Sequence, residues 1–210
     1  LYVSDQLNRA VFRYDGSTGN FIDTFVPASS GGLHQALGID FGPDGHLYVS
    51  NANVDQILRY NGSTGAFMGV FAAGGGLDYP EDVLFDSDGN LLVTSRNTNQ
   101  VLRYDGGTGA FIDVFASGGG LDGPVGMAFG PDNNFYLTSG YFGVNHRILR
   151  YNGLTGDFMD TFVSPGIGGL AQPVMISFRE LAAPVPEPST IAIWSLLALC
   201  AIAWRRRRTQ

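Results

Sequence analysis

One phrase of fifteen residues recurs four times: VFRYDGSTGNFIDTF from Val11, ILRYNGSTGAFMGVF from Ile57, VLRYDGGTGAFIDVF from Val101 and ILRYNGLTGDFMDTF from Ile148. Such repetition constrains the fold more than any single motif, because every copy must occupy an equivalent place in one periodic architecture. In register the units begin at Leu1, Leu47, Leu91 and Phe135, so the periods are 46, 44 and 44 residues. The stretch from Ala36 to Phe71 displays the plan. ALGIDF leads into the turn GPDG, LYVS into a short polar loop, ILRY into the turn NGSTG, and AFMGVF into a glycine-rich loop. Runs of four to six residues rich in Val, Ile, Tyr and Phe, bounded by Gly, Pro, Asn and Asp, read as strands. The Asp-Gly and Asn-Gly steps tolerate the positive φ that tight hairpin turns require. Four short antiparallel strands in every ~40–45 residues specify an all-β chain built as a β-propeller, one blade per unit.

Composition narrows the partners. The chain is 44% hydrophobic and 12% aromatic, enough to build a core. It contains no lysine; its 12 basic residues are all arginine, and four of them sit together as Arg205, Arg206, Arg207 and Arg208. Residues 1–178 carry seven arginines against sixteen aspartates and Glu81, a net charge of −10. An acidic body of this kind excludes nucleic acid, whose phosphates require a basic surface. The single cysteine, Cys200, rules out a disulfide framework or a cysteine-based metal site.

The segment Gly38–Phe67, GIDFGPDGHLYVSNANVDQILRYNGSTGAF, resembles the NHL-type repeat, and the resemblance recurs across residues 1–178. It implies a propeller and leaves function open, since this fold serves many tasks. NHL-like propellers usually have six or seven blades, so four units imply a fragment of a larger ring with blades, and room for a signal peptide, upstream of Leu1. The alternative is a complete four-bladed ring. The chain opens on a second-strand sequence, LYVS, and the repeats close on a first-strand sequence, PVMISF (Pro173 to Phe178). A blade shared between both ends would remove exposed sheet edges.

Beyond the repeats, residues 179–190 form a proline-rich linker with prolines at 184, 186 and 188, which hold it extended. Residues 191–210 follow, with fourteen uncharged residues from Ile191 to Trp204 and then the arginines. Fourteen residues at ~1.5 Å each cover about 21 Å, so the predicted transmembrane helix is short, completed by Ser189, Thr190 and snorkelling arginines. Arginines beyond it favour a cytoplasmic end, placing the propeller on the far side of the membrane. Pro186, Glu187 and Pro188, a short apolar helix and a terminal arginine cluster, in that order, resemble the PEP-CTERM sorting signal. The resemblance implies export across the inner membrane of a Gram-negative bacterium and processing by an exosortase, followed by delivery to the cell surface or extracellular matrix.

Repetition also separates scaffold from site. Arg13, Arg59, Arg103 and Arg150 recur, as do Asp15, Asn61, Asp105 and Asn152 before the turn glycine, and these read as inter-strand pairing and turn chemistry. Asp86 to Gly89 (DSDG) reads as a turn, because its equivalents GPDG and GPDN lack the first carboxylate of a calcium loop. His46, after a turn, reads as solvated. The residues found in one blade only fall on the loops before first strands and after second strands, which open on one face of a propeller. They include His34, Asp78 and Asp122, and the candidate binding face itself: Glu81, Asp82, Arg96, Tyr141, Phe142 and His146. The last three lie in or beside a three-residue insertion of the fourth unit. Glu81-Asp82 is the acidic pair where the other units have Leu37-Gly38, Val125-Gly126 and Val174-Met175.

No catalytic constellation and no cofactor are assigned. The reading adopted is an exported, non-enzymatic propeller that binds extracellular polysaccharide or a surface protein. The alternative is a Ca2+-dependent lactonase-like hydrolase or lyase, for which Glu81 is the metal candidate, as hydrolytic relatives of this fold imply.

Overall fold

The computed structural model describes residues 1–141, 143 and 145–179. Residues Leu1–Phe178 form one compact unit. Its elements are antiparallel sheets, each from consecutive strands. Blade 1 is three-stranded: β1 (Tyr2–Asp5), β2 (Ala10–Tyr14) and β3 (Phe21–Val26). Blade 2 runs β4 (Ala36–Phe41), β5 (Leu47–Asn51), β6 (Gln56–Tyr60) and β7 (Phe67–Ala73). Blade 3 runs β8 (Pro80–Phe85), β9 (Leu91–Ser95), β10 (Gln100–Tyr104) and β11 (Phe111–Ala116). Blade 4 runs β12 (Met127–Phe129), β13 (Phe135–Ser139), β14 (Arg147–Tyr151) and β15 (Phe158–Val163).

The core lies between blades. Val11, Phe25 and Val26 of blade 1 pack on Leu47, Val49, Leu58 and Tyr60 of blade 2. The same layer repeats between blades 2 and 3 around Tyr48, Leu91 and Tyr104, and between blades 3 and 4 around Phe115, Phe135 and Tyr151. The second strands of blades 2, 3 and 4, sandwiched on both faces, are buried throughout, which explains why LYVS (from Leu47), LLVT and FYLT read as unbroken apolar runs.

The recurring polar residues do what their spacing predicts. Asp15, Asn61, Asp105 and Asn152 each accept hydrogen bonds from the next two backbone N–H groups but one, closing Asx turns. Arg13, Arg103 and Arg150 bridge to Asp23, Asp113 and Asp160 on the outermost strands, and their guanidinium groups lie over Phe25, Phe115 and Phe162. Arg59 departs from the pattern because Gly69 replaces the aspartate; it keeps the contact with Asp44 at 3.9 Å that Arg150 also makes with Asp132 at 3.9 Å. Asp86 Oδ1 accepts the Asp88 and Asn90 N–H groups, which makes DSDG a turn. His46 is half-buried rather than solvated, its Nδ1 accepting the Gly62 N–H at 3.4 Å, because the turn beside it packs down on the ring.

A second set of contacts joins blade to blade. The first strands carry register shifts between Ala36 and Ile39 and between Pro80 and Val83, so Leu37-Gly38 and Glu81-Asp82 bulge out of the ladder. The stranded N–H groups of Gly38, Asp82 and Gly126 donate to the hydroxyls of Ser50, Thr94 and Thr138, each at 2.8 Å. The hydroxyls in turn reach the next blade. Ser4 donates to Leu37 O at 2.5 Å, Ser50 to Glu81 O at 3.0 Å, and Thr94 to Val125 O at 3.1 Å.

Pro173 to Phe178, expected to be a first strand, forms no strand. The segment does occupy a first-strand position. Phe178 packs on Tyr136 at 4.7 Å, as Phe85 does on Tyr48 at 4.8 Å and Phe41 on Tyr2 at 4.9 Å. A strand needs a ladder partner, and among the described residues β1 pairs with β2 alone, so the pairing of the two ends that the alternative, a complete four-bladed ring, calls for is not made. Among the described residues no helix is long and apolar enough to cross a membrane; Ile191 to Trp204 and the rest of the sorting tail lie outside them.

The hydroxyl contacts are testable. Thr94→Val keeps shape but strands the Asp82 N–H and the Val125 carbonyl, so denaturant unfolding is expected to report a loss of about 1–3 kcal/mol. Thr64→Val in an exposed turn is the control, with a change within about 0.5 kcal/mol.

Candidate functional site

The bulge in β8 aims Glu81 and Asp82 where neighbouring blades present Leu37-Gly38 and Val125-Gly126. Glu81 Oε1 pairs with Arg96 Nη1, from the loop after β9, and each side chain is only 10% exposed. The Arg96 guanidinium lies over the Tyr79 ring at 3.6 Å and faces the Tyr141 ring at 5.4 Å. Tyr79 is held from two sides. Its N–H donates to Asp55 Oδ1 at 2.8 Å, and its hydroxyl to Gln35 Oε1 at 3.0 Å. Its φ of +57° is a left-handed conformation that a bulky side chain adopts at a cost, which those two bonds offset. The rim of blades 2, 3 and 4 is thus crossed by a chain of contacts from Gln35 through Tyr79 and Arg96 to Tyr141, whose carbonyl accepts from Gln172 Nε2.

Asp82 sits below this rim and is 8% exposed. Oδ1 accepts the Val83 N–H at 3.0 Å and Oδ2 the Met127 N–H of blade 4 at 3.1 Å. The place is tight: at Gly38, the equivalent in blade 2, a Cβ would come within 2.6 Å of Asp82 Cα. Burial pushes the Asp82 carboxyl up to about 6 against its two backbone bonds, with Asp40 and Glu81 adding repulsion. Burial also raises Glu81, opposed by the Arg96 charge and hydrogen bond. Asp40 is raised by burial as well, while it accepts from Phe85 N–H and Phe41 N–H.

Of the sequence-designated face, the structure brings Glu81, Arg96 and Tyr141 into one cluster and sets Asp82 beneath it. His146 stands on the loop before β14, its Nδ1 buried without a hydrogen-bond partner. Phe142 lies outside the described residues. His34 meets Asn53, and Asp78 meets Asn97, each within its own loops. Tyr79 was missed by the sequence reading. Its signal was available: it is the aromatic where the other units have Gln35, Gly123 and Gln172.

A calcium ion, which hydrolytic relatives of this fold imply, requires several oxygen ligands without a competing cation. Glu81 is already paired with Arg96, Asp82 is the one other carboxylate lining the place among the described residues, and those residues hold no group of three or more metal-ligating side chains. These residues do not fit the ion.

The architecture places the chain among β-propellers. A model of the PEP-CTERM protein-sorting motif matches residues 184–208, so the chain carries that signal at its carboxyl end. No curated protein matches the sequence. Solved structures with the same fold include virginiamycin B lyase from Staphylococcus aureus with quinupristin, at 19% identity and a TM-score of 0.62, covering 83% of this chain and 54% of that one. A nidogen/laminin complex matches at 16% identity and TM-score 0.62, covering 78% and 60%. A gluconolactonase from Xanthomonas campestris matches at 18% and TM-score 0.62, covering 77% and 57%. The chain thus spans 54% to 60% of the length of these structures. At such identities the likeness establishes the fold alone. The PEP-CTERM motif implies export by the exosortase pathway.

The buried carboxylates predict a pH response. The folded value of Asp82, about 6, lies above its ordinary 3.8, so the folded protein holds the extra proton between those limits. Stability therefore rises as pH falls from 7 through this window. Thermal melts should gain about 4 °C between pH 7.5 and 5, and Asp82→Asn should flatten most of that slope.

Proposed function

We propose that this protein is an exported propeller that binds extracellular polysaccharide or a surface protein through the rim around Arg96 and Tyr141, without catalysing a reaction. The observation that carries the reading is the engagement of Glu81, the acidic residue best placed for hydrolytic chemistry, by Arg96 in a pair framed by Tyr79 and Tyr141. Such a pair supplies a rigid, aromatic-flanked polar surface and no free base or metal ligand. The sorting motif supports the setting in which the surface works. In this reading residues 179–190 are a linker, Ile191 to Trp204 span the inner membrane, and Arg205 to Arg208 remain cytoplasmic until processing near Pro186-Glu187-Pro188 releases the propeller to the surface or matrix.

Purified protein should retain extracellular polysaccharide or surface protein from its host, and Arg96→Ala should weaken that retention about tenfold while the fold, read by circular dichroism, persists. Stoichiometric calcium in the purified protein, or retention unchanged by Arg96→Ala, overturns the reading and favours the lactonase-like alternative in the first case.

The tail predicts two distinct failures. Replacing Arg205 to Arg208 by glutamate removes the basic signal that sets orientation, and acidic residues do not substitute for it. Alanines at Pro186, Glu187 and Pro188 leave the apolar run intact, so insertion persists and processing stops. Fractionation and intact-mass measurement in the native host should show misoriented protein in the first variant and unprocessed, membrane-bound protein in the second. An alanine variant trimmed like the wild type would reduce the tail to a simple anchor.

A further inference from the structure

Beneath the rim, residues of β1, β4 and β8, Val125 just before β12, and Val174 and Met175 line a cavity of about 470 Å³, a volume typical of small-molecule sites. Its walls are unlike one another. Leu37, Ile39, Val125 and Val174 make most of it aliphatic, whereas blade 3 contributes Glu81 and Asp82. We propose that this cavity binds a small organic cation, a protonated primary amine with an apolar body, whose ammonium group rests on the Glu81–Asp82 wall.

The charge count points to a cation. Glu81 and Asp82 line the wall, Asp40 lies close enough to raise Asp82 further, and Arg96 is the cation paired there. The two lining carboxylates against one guanidinium leave one negative charge uncompensated, that of Asp82, in a partly desolvated place where opposite charge is worth most. A fold that needed only to join blades 3 and 4 manages with leucine and glycine between blades 1 and 2, at Leu37-Gly38.

The shape of the walls selects among cations. Calcium takes six to eight oxygens, and the aliphatic side offers none. An ammonium needs three acceptors. Each Asp82 oxygen accepts one backbone N–H and keeps a lone pair, and Glu81 keeps the oxygen not bonded to Arg96. An alkyl chain attached to that ammonium then lies against Leu37, Ile39 and Val125 and removes apolar surface from water on both partners. A neutral alcohol of the same shape gains the second contribution without the first, and an anion is repelled.

Protonation sets the pH range. The groups facing Asp82 are Glu81 on its own strand, Asp40 on β4 and, through Glu81, Arg96 after β9; β12 contributes the Met127 N–H. Protonating Asp82 near pH 6 removes the surplus charge at the wall, so amine binding weakens as pH falls below that value.

The test is calorimetric titration of the full chain, kept soluble in a non-ionic detergent, with n-butylamine, 1-butanol and calcium chloride at pH 7.5. Butylamine is expected to bind at least about tenfold more tightly than butanol, and Asp82→Asn should reduce it to the butanol level. Leu37→Trp fills the cavity from its less buried wall and should abolish both, with circular dichroism confirming the fold; it decides the matter where Asp82→Asn fails to fold. Equal binding of amine and alcohol, amine binding indifferent to Leu37→Trp, or calcium binding in place of amine overturns the proposal. The site stands apart from the rim reading: polysaccharide or protein retention that survives Leu37→Trp, with no butylamine binding in the wild type, sinks the amine site and leaves the rim standing.

Discussion

The structure depends on a hydroxyl wedged between neighbouring inner strands. First strands of successive blades lie side by side around the axis but belong to different sheets, so no ladder joins them. Ser50 and Thr94 resolve this by receiving the N–H that their own blade's bulge leaves unpaired and donating to a carbonyl of the next blade. One small side chain thereby satisfies two buried backbone groups that would otherwise each cost about 1–3 kcal/mol. The bulge and the hydroxyl depend on each other. Without the bulge no N–H is stranded, and without the hydroxyl the stranded N–H makes the bulge untenable.

That arrangement locates the site. A side chain in the ladder of a sandwiched strand is committed to core, as the fully buried β5, β9 and β13 illustrate. A side chain on the bulge is released from the ladder and turned toward the axis. Leu37-Gly38, Glu81-Asp82 and Val125-Gly126 share this position, and the backbone contacts made by Ser50 and Thr94 do not depend on what those side chains are. Blade 3 can therefore carry two carboxylates without dissolving its joint to blade 4. Asp82 even adds a bond across that joint, through Oδ2 to Met127 N–H.

Strands and turns were legible in the sequence because their causes are local. Asp15 or Asn61 closes its own turn within three residues, and alternation with Gly and Pro punctuates each strand. The arginine bridges were legible as pairing, though the substitution of Gly69 for aspartate, which leaves Arg59 without an outer-strand partner, takes effect only once register is known. Contacts between blades were not legible. The recurring Ser4, Ser50 and Thr94 stand in plain view at the ends of apolar runs, but the acceptors they reach in the next blade lie 31 to 33 residues away. Pro173 to Phe178 shows the complementary failure. Its residues have strand character and its Phe178 finds the proper tyrosine, yet strand is a property of a pair, and a pattern read along one segment cannot supply the second member.

The candidate site divides along the same line. Uniqueness within the repeat singles out Glu81, Asp82, Arg96 and Tyr141 as exceptions, since any residue that breaks a fourfold pattern escapes the constraint that made the pattern. What uniqueness cannot state is whether two exceptions meet. Glu81 on the β8 bulge and Arg96 on the loop after β9 are 15 residues apart, and their pairing changes the chemistry of both. An isolated Glu81 at a channel mouth is a ligand or a base; paired with Arg96 over Tyr79, it is one half of a neutral, rigid surface. Among the described residues Asp82 has no such cation. Its backbone bonds orient the carboxylate without neutralising it, so the charge it brings to the axis persists as an attraction toward whatever cation the cavity can admit. The repeat thus sets a uniform inner wall, and a single departure from it, confined to two adjacent bulge positions, gives that wall both its polarity and its direction.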